Sequence, residues 1–134
     1  MTSPTSPSGP ALRLIDVKGL SEALAAFSAE RDWDQYHSPK NLVMALTGEV
    51  GELTEVFQWL SEAQSKSVAT NPDTATAVRE ELADVTLYLV RLASVLGVDL
   101  NEAVMLKLQK NALKYPADKA RGTHKKYDKR LIIK

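Results

Sequence analysis

Two pairs of acidic residues accompany apolar stripes in the middle of the chain. Glu49 and Glu52 are three positions apart, and so are Glu81 and Asp84. On a helical wheel of about 100° per residue, Glu49 falls inside the apolar stripe of its helix, while Glu52 and Glu81 lie at stripe edges and Asp84 lies on the same side as Glu81. Because positions i and i+3 are neighbours on a helix, both carboxylates of a pair can reach one point.

Four carboxylates beside a core are costly, because unpaired ions lose hydration and like charges repel. A hard divalent cation relieves both costs, and Mg²⁺ prefers oxygen ligands. We therefore predict a metal site that binds Mg²⁺, with Mn²⁺ as a substitute. Its predicted ligands are Glu49, Glu52, Glu81 and Asp84. The alternative is that salt bridges neutralise these acids, from Arg79, Arg91 or Lys107.

Four helices are predicted to position these residues. Apolar spacing and capping signals put them at about 21–31, 39–62, 72–96 and 100–115. Ser38 is the predicted N-cap of the second helix, and Gly97 is the predicted C′ residue of the third. Asp99 and Glu102 fit a capping box for the fourth helix. These signals predict an all-α fold.

The third predicted helix is apolar nearly all round. Between Val85 and Val98 its only charged residue is Arg91. A helix of this kind is buried on most sides, and so short a chain has few elements to cover it. We therefore expect a homo-oligomer, unless the first helix and the tail cover this surface.

The chain has 134 residues, no Cys and a formal net charge of zero. The absence of Cys excludes disulfides and thiolate sites. The charge balance argues neither for a nucleic-acid protein nor for a membrane-surface one, and we expect a cytoplasmic protein. We predict a disordered tail at 1–15, a helical domain at 16–116 and a basic tail at 117–134. Three roles are open for the basic tail: it is solvated, it brings a cation to phosphate oxygens from Lys119, Arg121 or Lys125, or it binds nucleic acid.

Aromatic side chains beside the acids suggest a site for a flat ligand. Trp59 shares a helix edge with Glu52, and Tyr88 shares one with Asp84. Aromatic faces stack on nucleobases, and the candidates are Trp33, His37, Trp59 and Tyr88. Core packing is the alternative role for an aromatic residue at a stripe edge.

The segments GEVGELTE and EELADVTLYLVRLA resemble the MazG-like, all-α nucleoside triphosphate pyrophosphohydrolases, whose signature is E-x-x-E, a spacer and E-x-x-D. The segment FSAERDWDQYHSPKNLVMALTGEVGELTEVFQW is most similar to the dCTP pyrophosphatase branch of that family. The resemblance covers about residues 24–116. It implies a four-helix bundle of the MazG-like type, assembled into a dimer or a dimer of dimers.

The resemblance also implies Mg²⁺-dependent hydrolysis of a nucleoside triphosphate, dCTP or a 5-modified dCTP, to the monophosphate and pyrophosphate, as nucleotide-pool housecleaning. Metal-bound water is then activated by a carboxylate acting as general base, either Glu49 or Glu52. By resemblance, Trp33, His37 and Trp59 surround the base. The resemblance also implies that Asn111 contacts the polar edge of cytosine. It places two further residues near the phosphates, Lys107 and Tyr115.

Two other functional classes fit parts of the sequence. In the first, the chain is a non-enzymatic helical interaction module with structural salt bridges and a basic contact arm. In the second, it is a ferritin-like di-iron protein. The second is disfavoured because such sites use E-x-x-H pairs, and the only histidines, His37 and His124, lie outside the two acid-bearing helices.

Overall fold

The structure is a computed structural model that describes residues 14–124. Within that range the chain forms six α-helices and no strand, which confirms the all-α prediction. The helices are α1 (Val17–Glu30), α2 (Pro39–Phe57), α3 (Glu62–Ser65), α4 (Ala75–Leu96), α5 (Leu100–Lys114) and α6 (Ala117–Ala120), with a short 3-10 helix at Asp34–Tyr36 between α1 and α2. The last residues, including the basic stretch after His124, lie outside the described range.

The described residues belong to two compact units, which divide between Val98 and Asp99. In the first unit, α2 packs against α4, and α1 also packs against α4. Leu42 of α2 and Val90 of α4 are almost completely buried, with 1% and 2% of their surface exposed. Burial of such side chains contributes roughly 1.5–3 kcal/mol each. The α2–α4 pair is the scaffold that carries both acidic pairs.

The predicted caps of α2 and α4 are present, and α5 has the Asp99 half of its predicted capping box. The Ser38 side chain accepts a hydrogen bond from the Asn41 backbone N–H at 3.2 Å, and the Asp99 side chain accepts one from Glu102 N–H at 3.0 Å. Gly97 ends α4 with φ = 68°, a left-handed conformation that favours glycine. Local cap chemistry therefore sets these three helix ends as the sequence predicts.

The prediction that the second helix continues to about residue 62 is wrong, because α2 ends at Phe57. Ser61 starts a new helix instead. Its side chain accepts from Gln64 N–H, and its own backbone N–H donates to the Gln64 side chain, at 3.1 and 2.9 Å. This reciprocal capping box satisfies the first donors of α3 locally. The chain therefore breaks between Phe57 and Ser61 rather than extending α2.

The starts of α1 and α4 also differ from the predicted positions. Asp16 accepts a hydrogen bond from Gly19 N–H at 2.9 Å, so α1 begins one turn earlier than the apolar spacing indicates. Asn71 accepts from Asp73 N–H at 2.9 Å through its side chain, which forms a turn before α4. Among the described residues, no helix is both long enough and apolar enough to cross a membrane.

Candidate metal and nucleotide site

The pairing of α2 with α4 brings three of the four predicted acidic ligands together. One carboxylate oxygen from each of Glu49, Glu52 and Glu81 lies within 4.8 Å of the other two. Glu49 and Glu52 come from α2, one turn apart, and Glu81 comes from α4. Glu52 is exposed, whereas Glu49 and Glu81 are half-buried. The cluster thus has one side open to solvent.

The two half-buried carboxylates lack partners. The Oε2 atoms of Glu49 and Glu81 are buried and accept no hydrogen bond from any described residue. An unsatisfied buried acceptor carries a desolvation penalty. Within the first unit, the described ion pairs join Arg91 to Asp34 and Arg31 to Glu30. The alternative prediction, that arginines neutralise the acids, therefore has no support in this unit.

Crowding of the acids shifts their protonation. Desolvation raises the pKa of Glu49 to about 7, and the neighbouring carboxyl groups of Glu52, Glu81 and Asp84 add to the effect. Desolvation also raises the pKa of Glu81; the neighbouring Glu49 carboxyl opposes this effect, and the charges of Glu52 and Asp84 add to it. Without a cation, the cluster therefore holds protons at a pH where isolated glutamates are ionised.

Asp84, the fourth predicted ligand, lies outside the three-carboxylate group. It is half-buried on α4 and lines a cavity of about 370 Å³ between α1 and α4. Its charge nevertheless raises the pKa of both Glu49 and Glu81. Asp84 is therefore the side chain that links the acidic cluster to the cavity.

The cavity collects three of the predicted aromatic and histidine residues. Its walls are mainly apolar, and its lining residues are Leu20, Ala23, Leu24, Phe27, Trp33, His37, Asp84, Leu87, Tyr88 and Arg91. The Trp33 ring meets Phe27 edge-on, with centroids 5.7 Å apart, and is tilted against the His37 ring at 6.3 Å. A pocket of this size with aromatic walls and few polar groups is typical of small-molecule sites.

Of the other predicted binding residues, Trp59 does not line this cavity. Trp59 is 87% exposed because α2 ends before it, so that it no longer follows the stripe of that helix. Lys107 and Asn111 lie on α5, and Tyr115 follows that helix directly. These three residues belong to the second unit, and their roles stay predictions.

The sequence analysis missed the polar partners of the cavity. Ser28, Asp34 and Arg91 form a hydrogen-bonded group around His37. A signal for Arg91 is present in the sequence, since it is the only charged residue between Val85 and Val98, and a charge in an apolar stretch needs a partner. Periodicity within α4 could not identify that partner, which is 57 residues away in the chain.

Comparison with known proteins gives consistent matches. The model of the MazG-like family matches residues 45–129. The dCTP pyrophosphatase 1 of Rattus norvegicus is 50% identical over 103 residues, and that of Homo sapiens is 48% identical over the same length. In both cases the match covers 77% of this chain and 61% of the relative. The chain thus spans about three fifths of the length of these curated relatives.

A solved structure has the same fold. The crystal structure of a pyrophosphatase from Archaeoglobus fulgidus matches with a TM-score of 0.69 and 37% sequence identity. The match covers 81% of this chain and 99% of the archaeal one. The helical arrangement described above is therefore that of a known pyrophosphatase structure.

Proposed function

This chain belongs to the MazG-like family, and we propose that it hydrolyses a nucleoside triphosphate to the monophosphate and pyrophosphate. The observation that carries the proposal is the gathering of Glu49, Glu52 and Glu81 oxygens within 4.8 Å of one another, next to an aromatic cavity. The names of the relatives support dCTP as the substrate. We include 5-modified dCTP among the proposed substrates. The proposed cellular role of the reaction is the removal of unwanted nucleotides from the nucleotide pool.

The acidic cluster fits a hard divalent cation. All of its donors are carboxylate oxygens, the ligands that Mg²⁺ and Mn²⁺ prefer. The partnerless Oε2 atoms of Glu49 and Glu81 would gain a ligand. Glu49, Glu52 and Glu81 would hold the ion directly, with Asp84 beside them. When bound, such an ion neutralises phosphate charge and makes a coordinated water more acidic.

A carboxylate of α2 acts as the general base in this proposal. The first candidate is Glu49, the half-buried member of the cluster on that helix. Glu52 is the second candidate, because it is the exposed member of the cluster. The base takes a proton from the attacking water, and the bond between the α- and β-phosphates breaks to release pyrophosphate.

The nucleoside occupies the cavity between α1 and α4. The cavity volume of about 370 Å³ is within the range of small-ligand pockets. Trp33 and Tyr88 offer aromatic surfaces, and His37 offers a polar edge. Because Asp84 lines the cavity and influences the acidic cluster, a nucleoside here directs its phosphates toward the carboxylates.

Four further residues enter the proposal through the family resemblance alone. Asn111 reads the polar edge of cytosine, Lys107 and Tyr115 lie near the phosphates, and Trp59 contacts the base. An amide suits cytosine because it both donates and accepts hydrogen bonds.

The functional form is a homo-oligomer, a dimer or a dimer of dimers. Several large apolar side chains of α4 are exposed in the single chain, with Leu82 at 53%, Leu89 at 42% and Leu96 at 54%. Apolar patches of this kind mark contact surfaces in soluble proteins. A second copy of the chain is the proposed cover.

Pyrophosphate release tests the proposed activity. The purified chain is incubated with Mg²⁺ and each common ribo- and deoxynucleoside triphosphate, and with 5-methyl-dCTP. We expect release from dCTP or its 5-modified form. Glu52→Gln should abolish release, whereas Glu55→Gln, an exposed α2 neighbour outside the cluster, should retain it. Absence of release from every nucleotide would favour the non-enzymatic interaction module.

A further inference from the structure

A polar network joins α1, the 3-10 helix and α4 at one wall of the cavity. The Ser28 hydroxyl donates to Asp34 Oδ1 at 2.7 Å. Arg91 donates from Nη2 to the same Asp34 oxygen at 3.0 Å and from Nε to His37 Nδ1 at 3.1 Å. Ser28 is 1% exposed, and the Arg91 side chain is 11% exposed. The network is therefore partly removed from water, where its hydrogen bonds are stronger.

The donor inventory fixes which His37 nitrogen carries the proton. Arginine has only donors, so the Nε–H of Arg91 requires an acceptor at His37 Nδ1. The hydroxyl proton of Ser28 is used on Asp34, and Ser28 Oγ in turn accepts from Arg91 Nη2 at 3.5 Å. Ser28 Oγ also lies 3.2 Å from His37 Nδ1, but its hydroxyl proton is donated to Asp34 and not to this nitrogen. A neutral His37 ring must then be protonated at Nε2.

Charge acts in the same direction as the hydrogen bonds. A proton on Nδ1 would face the guanidinium of Arg91. Desolvation lowers the pKa of His37, the positive charge of Arg91 lowers it further, and only Asp34 opposes them. The neutral ring is therefore the favoured form at neutral pH.

The free nitrogen of His37 belongs to the cavity wall. His37 lines the cavity, its Nδ1 edge faces Ser28 and Arg91, and no described residue forms a hydrogen bond with Nε2. A neutral Nε2–H is a donor without a protein partner. A bound molecule that places an acceptor there would satisfy it.

We propose that Arg91, which is paired with Asp34, is a positioning residue that holds His37 as the Nε2–H tautomer, so that the ring donates a hydrogen bond to an acceptor atom of the bound pyrimidine base. The part that concerns the base rests on the proposed function. Cytosine offers adjacent acceptors at O2 and N3, whereas uracil and thymine carry a proton on N3. The fixed Nε2–H donor of His37 therefore favours cytosine, whose N3 accepts a hydrogen bond, over uracil and thymine, whose N3 carries a proton.

Nitrogen NMR of the imidazole tests the tautomer without any enzyme assay. Two-bond ¹⁵N–¹H correlations are recorded on the full chain in mildly alkaline buffer, where an unshifted histidine is neutral as well. The His37→Gln variant separates the signals of His37 from those of His124. We expect Nδ1 of His37 to appear as an unprotonated nitrogen and Nε2 as a protonated one. A protonated Nδ1, or an average of both tautomers, in the unaltered chain overturns the proposal.

Matched variants test the role of Arg91. Arg91→Met removes the Nδ1 donor and should give a mixture of tautomers. Ser28→Ala leaves that donor in place and should keep Nε2–H. Arg79→Met is the control, because Arg79 lies on the same helix and donates to the backbone carbonyl of Ala75, one turn earlier in that helix. An Nε2–H tautomer that survives in Arg91→Met would show that Arg91 does not position the ring.

Kinetics test the link to the base. Loss of one oriented hydrogen bond should raise KM for dCTP about 2- to 10-fold in Arg91→Met, with little change in kcat, because the contact is made equally in the ground and transition states. The preference for dCTP over dUTP should fall. A shifted tautomer with unchanged KM and preference would overturn the role in base binding. A chain that releases no pyrophosphate from any nucleotide would refute the proposed function, while the NMR result would still decide the tautomer.

Discussion

Glu49 of α2 and Glu81 of α4 each direct their Oε2 atom to a buried position that no hydrogen bond from a described residue reaches. The two atoms come from helices that form the main packing pair of the first unit. Two acceptors without donors repel each other unless a proton or a cation lies between them. The fold therefore supports a cluster that is unfavourable on its own, which is the expected state of a cation site before binding.

The metal-free protein should lose stability as pH rises through the titration of Glu49. Its pKa is 4.5 when exposed and about 7 in the fold, so the folded state binds more protons between these values. Stability then falls as pH rises across this window. We expect the free energy of unfolding in EDTA, measured by urea titration, to fall more steeply in the unaltered chain than in Glu49→Gln. The opposite contribution from His37, whose pKa is lowered, is common to both proteins and cancels.

Equal slopes in the two proteins would contradict this account of the cluster. A steeper fall in Glu49→Gln would do so as well.

Divalent cations should raise the melting temperature through the same carboxylates. A ligand that binds only the folded state at about 100 times its Kd stabilises it by about 2.7 kcal/mol. We expect Mg²⁺ and Mn²⁺ to raise Tm in a thermal scan without nucleotide. Glu81→Gln should reduce this gain, and Glu80→Gln, its exposed neighbour outside the cluster, should keep it. An identical gain in all three proteins would place the cation elsewhere.

The sequence could predict features that depend on local spacing. Ser38, Gly97 and Asp99 act within one helix turn of their own positions, and these caps are where the sequence predicts them. The i, i+3 spacing of Glu49 and Glu52 likewise survives, because both residues lie within the uninterrupted part of α2.

Features that depend on competition or on distant partners could not be predicted. The end of α2 at Phe57 results from the capping box at Ser61, which starts a new helix. The pattern of apolar residues does not show whether this cap or a longer α2 is more stable. Arg91 is one of three possible salt-bridge partners of the acids in the alternative prediction, but it pairs with Asp34 at 3.0 Å. That choice depends on how α1 and α4 pack, which a single helix pattern does not contain.

The end of α4 provides a test of conformational strain. Gly97 has φ = 68°, and no atom lies within 4 Å of the place where a Cβ would sit. Gly97→Ala should therefore destabilise the chain by about 1–2 kcal/mol through backbone strain alone. Gly48 has equal space around it but lies inside α2, so Gly48→Ala should stabilise the chain by about 0.5–1 kcal/mol. Chemical denaturation measures the free energy of unfolding of both variants. An unchanged free energy of unfolding in Gly97→Ala would contradict the strain argument.

The exposed face of α4 should hold two copies of the chain together. Leu89 is 42% exposed in the single chain, although it lies in the stretch from Val85 to Val98, where Arg91 is the only charged residue. Introducing a carboxylate there places an unpaired charge in an apolar contact, which is strongly unfavourable. We expect light scattering after size-exclusion chromatography to give a multiple of the single-chain mass for the unaltered protein and a lower mass for Leu89→Glu. Ser94→Glu adds the same charge at another exposed position of α4 and distinguishes loss of apolar contact from a general effect of charge. A monomeric unaltered chain would contradict the oligomer, and an unaffected Leu89→Glu would move the interface to another surface.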